Sequence, residues 1–268
     1  MTSASVSTRF SINSQSCSQG LISDVDTLAS DKNYSVRLAK NSKEIRAALR
    51  LRHEVFSLEL GAVKGTSGIE FDAYDFRSEH LVAIDKSRGE IIGTYRINST
   101  ENVDDISTLY SSGEFEIENL PAEVILNGLE IGRACISTKH RGSRALLLIW
   151  KALAKYLIAQ NKRFFFGCCS IFSSEPSIGE TVYRQLGASG SIHPTITVRP
   201  RLHGIDISDL RGSTSDCKLP GLFESYLKLG AKVCGPPMYD EAFGSIDFFV
   251  LFDIAEMSDR YRRLFGLA

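Results

Sequence analysis

This sequence is poor in the features that would place it quickly. No run among its 268 residues reaches the roughly 18 consecutive apolar positions of a membrane-spanning helix, so any membrane contact is expected to be peripheral. The six cysteines (Cys17, Cys135, Cys168, Cys169, Cys217 and Cys234) form no CxxC pair and no zinc-type Cys/His spacing. No secretory signal pattern opens the chain, so they are expected to be reduced thiols in a cytoplasmic protein, with no metal site. An excess of one charge is also lacking: 31 Lys and Arg against 32 Asp and Glu argue against a nucleic-acid partner, whose phosphates demand surplus cations. What is present, 43% hydrophobic and 24% charged residues, suffices for one substantial core.

The first 33 residues are rich in Ser and Thr without a sustained apolar period, and read as a flexible tail. From Tyr34 to Ala268 the pattern is that of one domain, since no Pro/Gly/Ser linker divides it. YSVRLAK (34–40) alternates like a strand, and Asn41 offers an N-cap for a helix running to about Leu60. Residues 61–80 read as a loop, and HLVAID and IIGTYRI around the turn KSRGE read as a hairpin. The polar stretch from Ser99 to Leu120 gives no clear period. LEIGRACIS, a helix from about Gly142 to Gln160, RFFFGCCSI, a helical segment to Leu186 and the strand TITVRP (195–200) follow. LPGLFESYLKLGAK then reads as a helix opened by Pro220 and closed by Gly230. SIDFFVLFDI (245–254) is a strand apolar enough to be buried on both faces. Alternating strands and helices after a hairpin predict an α/β fold with a mixed sheet.

The chemistry is concentrated where charge interrupts apolar elements. LEIGRAC (129–135) carries Glu130 and Arg133 inside a strand otherwise fit for a core, where an unpaired charge costs several kcal/mol. Arg52, Asp72, Asp75 and Arg96 likewise sit within or beside apolar elements. Six such residues of alternating sign predict either a network lining a cleft or one structural pair with solvated loop charges at Asp72 and Asp75. The cleft version suits an amino acid, since guanidinium pairs a carboxylate and a carboxylate holds an ammonium or takes its proton. The strand cysteines read as small buried hydrophobes, and the aromatic cluster Phe164–Phe166 as core.

These same residues carry a resemblance. LRHEVF (51–56), the DAYD of Asp72 and Asp75, GTYRI around Arg96 and the EIGR ending at Arg133 resemble, in order, the motifs of acyl-homoserine-lactone synthases. HLVAID, EIGRACISTKHRGSRALLLIWKALAKYL and FFFGCCSI look more like their GNAT-fold relatives, the ornithine lipid N-acyltransferases and the similar proteins often labelled hemolysins. The late segment from Leu219 to Ile254 and the closing RYRRLF resemble the C-terminal region of that second group, which the lactone synthases lack. The resemblance covers about Ser35 to Phe265.

It implies a GNAT-like mixed sheet flanked by helices, with a C-terminal helix-strand extension. It implies transfer of a (3-hydroxy)fatty acyl group to the α-amine of an amino acid, with ornithine as the first candidate and lyso-ornithine lipid as product. The donor is the phosphopantetheine thioester of acyl carrier protein, and no bound cofactor is needed. The pantetheine arm is expected between LEIGRACIS and RFFFGCCSI, splayed apart. In this reading Glu130 is the base and Arg133 acts beside it, while Arg52, Asp72, Asp75 and Arg96 bind the substrate. Glu130→Ala is expected to leave folding intact and to abolish transfer. The turn HRGSRALL has only Gly142, which suits the single phosphodiester of a carrier arm better than the pyrophosphate of coenzyme A. His140, Arg141, Arg144, Lys151 and Lys155 are the expected carrier and phosphopantetheine contacts, with Arg144, Lys151, Lys155 and Lys162 forming one basic helical stripe. Two other readings compete: a lactone-type signal synthase, and a non-catalytic relative that binds carrier protein or membrane.

Overall fold

The computed structural model describes residues 27–61, 68–100, 103–201, 203–205, 217–241 and 243–267. In chain order, β1 (Ala29–Ser30), β2 (Tyr34–Leu38) and helix α1 (Ser42–Arg52) lead into a π-helical turn, His53–Glu59. A 3-10 turn (Ala73–Arg77) precedes the hairpin of β3 (Glu79–Asp85) and β4 (Glu90–Ser99). Short helical turns follow, including α2 (Ser111–Glu114) and α3 (Ala122–Leu126). Then come β5 (Gly128–Ile136), α4 (Ala145–Ala159), β6 (Phe164–Phe172) and α5 (Ser177–Ala188). The chain closes with α6 (Gly221–Leu229), β7 (Lys232–Val233), β8 (Met238–Asp240), β9 (Ser245–Asp253) and α7 (Asp259–Phe265).

The nine strands among the described residues join one mixed sheet in the order β1-β2-β3-β4-β5-β6-β9-β7, with β8 also on β9; the β5–β6 pair is parallel and the rest antiparallel. The local reasons are legible. Asn41 caps α1 by accepting from the Glu44 amide at 3.1 Å, and Gly230 ends α6 with φ 110°, a left-handed conformation that suits glycine. Helix α4 is apolar almost all round, and Leu148, Ile149, Ala152 and Leu153 pack on one face of the sheet. Strand β9 lies between β6 and β7, so its unbroken apolar run is buried on both faces. The late segment is therefore integral to the sheet: β9 pairs with β6 over nine residues.

Four expectations need correction. The helix expected to reach Leu60 changes to π winding at His53, which buries His53, Val55 and Phe56. TITVRP forms no strand; it runs as an irregular segment tied by the Val198 amide to the Cys234 carbonyl and by the Glu116 amide to the Arg199 carbonyl. Most of the expected tail lies outside the described residues, but its last part is structured: Leu28 and Ala29 are buried in the core and Ala29–Ser30 pair with β2. Lys162 lies beyond the end of α4, its Nζ donating to the carbonyls of Thr100 (3.3 Å) and Leu126, so it is not part of a helical stripe.

The sheet forks in its centre. β5 and β6 pair only over Gly128–Glu130 and Phe164–Phe166. At the fork Gly167 lies so close to β5 that a Cβ there would sit 2.3 Å from the Ile131 carbonyl oxygen. On its other side β5 carries a bulge: Cys135 faces Thr94 and Gly132 faces Arg96, so Arg133 and Ala134 together oppose Tyr95. Arg133 takes φ 49° there, which turns it out of the ladder.

Candidate active site

The fork opens into a cavity of about 570 Å³. Ile131 to Ile136 of β5 and Gly167 to Ser170 of β6 form its two lips, where the strands no longer bond to each other. Inward it is apolar, bounded by Trp150 of α4, Phe165 and by Phe223, Tyr226 and Leu229 of α6. Its polar part holds Arg96, Asn98, Tyr110, Ser111, Glu130 and Arg133. A cavity of this size with both an apolar and a charged lining suits an acyl chain and the polar atoms it reacts with.

Glu130 is 4% exposed. One carboxylate oxygen accepts from the Ser111 amide at 2.7 Å, and the other from the Tyr110 amide at 3.0 Å and Asn98 Nδ2 at 3.3 Å. The residue thus anchors the start of α2, and a carboxylate with about four lone-pair sites keeps room for one more donor. Sequence reasoning missed these partners, because the stretch around Tyr110 shows no period.

Of the six residues expected to form one network lining a cleft, Arg52, Asp72, Asp75, Arg96 and Arg133 come together, with Glu70 added, while Glu130 pairs with none of them. Arg52 is fully buried and pairs with Glu70 and with Asp75, the latter at 2.6 and 3.1 Å. Arg96 holds Asp72 at 2.6 and 2.7 Å and lies 3.5 Å from Asp75. Arg133 reaches Glu70 at 3.2 Å and Asp72 at 3.0 Å. Three guanidiniums and three carboxylates thus neutralise one another. Burial alone would raise the Asp72 carboxyl, yet Arg96 and Arg133 hold it below the usual carboxylate range. Asp75 is buried and is also the capping partner of Asp72, so neither is a solvated loop charge. Only Arg96 and Arg133 of the six reach the cavity; Arg52, Glu70, Asp72 and Asp75 stand behind its wall and hold it. The Arg133 guanidinium lies over the Tyr110 ring at 4.7 Å and the Phe243 ring at 5.2 Å, sandwiched at the chamber.

The expected carrier contacts divide. His140 and Arg141 line the cavity beside Gly142, whose φ of 73° shapes the turn before α4. His140 Nδ1 lies 3.1 Å from the Tyr34 hydroxyl, and Arg141 pairs with Glu59. Arg144 is exposed, 3.5 Å from Asp31, and does not line the cavity. Lys151 and Lys155 lie further along α4 beside Gly266, away from the fork. The strand thiols are no nucleophiles: burial pushes Cys135 up to about 12 and raises Cys168 and Cys169 well above the ordinary range.

Sequence reasoning missed a second acidic group. Glu114 of α2, Asp240 of β8 and Asp247 of β9 bring carboxylate oxygens within 4.8 Å of one another. Asp247 had the same signal that singled out Glu130, a lone carboxylate in an apolar strand. Burial, then the charge of Asp247, push Glu114 from 4.5 up to about 7; burial, then the charge of Asp240, push Asp247 from 3.8 up to about 6. Because the folded state holds the Glu114 proton more tightly than the unfolded chain, its stability contribution falls as pH rises from about 4.5 to 7. Glu114→Gln should therefore change stability little at pH 5 and raise it at pH 8 by on the order of 1–3 kcal/mol. Urea titrations of both proteins at the two pH values check this; equal effects at both would contradict the burial argument.

The fold and cavity define an acyltransferase of the GNAT class. Residues 51–151, which hold Arg52, Asp72, Asp75, Arg96, Glu130 and Arg133, match the family model described as Acetyltransferase (GNAT) domain. Among solved structures the chain is similar to the AHL synthase LasI (TM-score 0.51, 12% identity, 88% of this chain and 95% of that one). It is also similar to the CoA-dependent acyl-homoserine lactone synthase MesI (0.50, 14%, 87% and 96%). At such identities the likeness is one of fold. The L-ornithine N(alpha)-acyltransferase of Rhodobacter capsulatus is 30% identical over 258 residues, spanning 88% of this chain and 96% of that protein. That of Brucella abortus is 30% identical over 250 residues, spanning 87% and 89%. The chain belongs to the L-ornithine N(alpha)-acyltransferase family.

Proposed function

We propose that this protein transfers a 3-hydroxyacyl group from the phosphopantetheine thioester of acyl carrier protein to the α-amine of ornithine, giving lyso-ornithine lipid. The observation that carries the reading is the forked cavity, with unpaired strand lips on both sides, an apolar recess and a charged chamber at one end. The names of the relatives supply the acceptor amino acid. An extended pantetheine arm pairs with the free backbone groups of β5 beyond Glu130, as an added strand would. His140 and Arg141 at the cavity meet its phosphodiester; Arg144, Lys151 and Lys155, outside the cavity, belong to the docking surface for the acidic carrier.

An α-ammonium has an ordinary pKa near 8, so it must lose a proton before or during attack. Glu130 takes that proton, directly or through a water, while Arg133 meets the substrate carboxylate. The amine nitrogen bonds to the thioester carbon, the C–S bond breaks, and the pantetheine sulfur leaves and takes up a proton. Backbone amides at the β5 bulge polarise the carbonyl oxygen. Arg52, Asp72, Asp75 and Arg96 hold Arg133 in place. The protein works in the cytoplasm, touching a membrane surface only peripherally when it releases its amphipathic product; no helix among the described residues is long and apolar enough to cross a membrane. The test is mass spectrometry of products from purified protein given ornithine with equal amounts of 3-hydroxyacyl carrier protein and 3-hydroxyacyl coenzyme A, each acyl group isotopically distinct. The reading expects N-acyl ornithine chiefly from the carrier; product chiefly from coenzyme A would overturn the donor assignment.

A further inference from the structure

Side-chain alternation places the second acidic group on the reacting side of the sheet. On β9, Phe249 and Leu251 belong to the apolar cluster that includes Phe164 and Phe166, while Ile246, Phe248, Val250 and Phe252 belong to the opposite one under α4. Asp247 shares the parity of Phe249 and Leu251. Its partner across the β6–β9 ladder is Ser170, which lines the cavity. Glu114 follows directly from the α2 start that Glu130 anchors through the Tyr110 and Ser111 amides. Cys168 and Ser111, 3.6 Å apart through Sγ and Oγ, also line the cavity next to this group.

Three carboxylates brought together are not in themselves a site. A separate observation points to a ligand. Glu114 is 8% exposed, and its Oε2 has no hydrogen-bond partner among the described residues. A buried carboxylate oxygen left unsatisfied costs free energy unless a donor is supplied from outside the chain. The nearby cation, Arg133, is engaged with Glu70 and Asp72, so it does not serve this purpose. Burial first, and then the charge of the neighbouring carboxylates, raise the Glu114 and Asp247 carboxyls at this place.

We infer that Glu114, Asp240 and Asp247 form the subsite for the cationic end of the acceptor amino acid's side chain. The inference rests on the proposed amino acid N-acyltransferase reading and specifies how that site selects its acceptor. An amino acid with a terminal ammonium spans the chamber, its carboxylate toward Arg133 and its distal ammonium toward the three carboxylates, which stand directly behind Ser111, Cys168 and Ser170 of the cavity wall. Its α-amine then lies near Glu130 and the thioester. The distal amine is kept protonated by its acidic surroundings, so it is not a nucleophile, and transfer is confined to the α-nitrogen. A site built to bond a charged group rejects the analogue that lacks it, because its own buried groups are left unpaired.

The experiment compares kcat/KM for ornithine and for norvaline, which is ornithine without the distal amine, in the wild type, Glu114→Gln and Asp240→Asn. Asp240 is only partly buried, so its variant tests the subsite if Glu114→Gln fails to fold. The wild type should prefer ornithine by about a hundredfold or more, and each folded variant should shrink that ratio by about tenfold or more. Equal losses on both substrates would mean a structural role and overturn the inference, as would an unchanged ratio. Binding of manganese or calcium by the wild type, abolished in Glu114→Gln while the acceptor ratio holds, would assign the group to a metal instead and also overturn it. If the wild type acylates neither these two nor any other amino acid, the reading beneath the inference fails with it; turnover with an unchanged ratio sinks the subsite alone.

Discussion

Glu130→Gln is expected to lower kcat by about 10²–10⁴ while the protein remains folded, which is the range for removing a general base. The variant keeps one oxygen for the Tyr110 or Ser111 amide and places an NH2 group against the other, so it should also lose about 1–3 kcal/mol of stability. Glu130→Ala leaves both amides and Asn98 without this partner and should lose more, which revises the expectation that truncation leaves folding intact. Single-turnover rates measured well below the melting temperature separate the two effects. A folded Glu130→Gln enzyme with wild-type rates would reduce Glu130 to an anchor for α2 and move the base elsewhere.

Arg52→Ala has the other large expected effect, and it falls on stability. Arg52 lies behind the cavity wall, fully buried, and its removal leaves Glu70 and Asp75 as buried charges short of a partner. Breaking a buried pair in this way costs about 3–5 kcal/mol, a large part of what a domain has. Arg52→Lys should recover only part of the loss, because an ammonium does not reproduce the fork that meets Asp75 through two nitrogens. Urea unfolding of the three proteins gives the answer. A cost below about 1 kcal/mol for the alanine variant would show that Arg96 and Arg133 carry the network without it.

Much of the fold was legible because the elements that build it obey simple periods. The hairpin of β3 and β4, the apolar helix α4 and the unbroken run of β9 each lie where pattern and capping place them. The misses have physical causes. TITVRP opens with four consecutive β-branched residues, Thr195 to Val198, yet its backbone bonds go to Cys234 and Glu116 singly and never form a ladder. The π winding after Arg52 leaves apolar positions that a helical period also explains, so periodicity does not distinguish the two. At the site, charge within apolar strands was a sound guide to Glu130 and Arg133, and the same criterion applied to β9 would have found Asp247. Glu70 and Glu114 were hidden because they lie in segments without a period, where only the folded chain reveals what they face.

The most direct measurement is tandem mass spectrometry of the product formed from ornithine and 3-hydroxyacyl carrier protein, reading which nitrogen carries the acyl group. The account predicts acylation of the α-nitrogen, in an amount that collapses with Glu130→Gln. An acyl group on the distal nitrogen, or α-acylation undiminished in that variant, would contradict it.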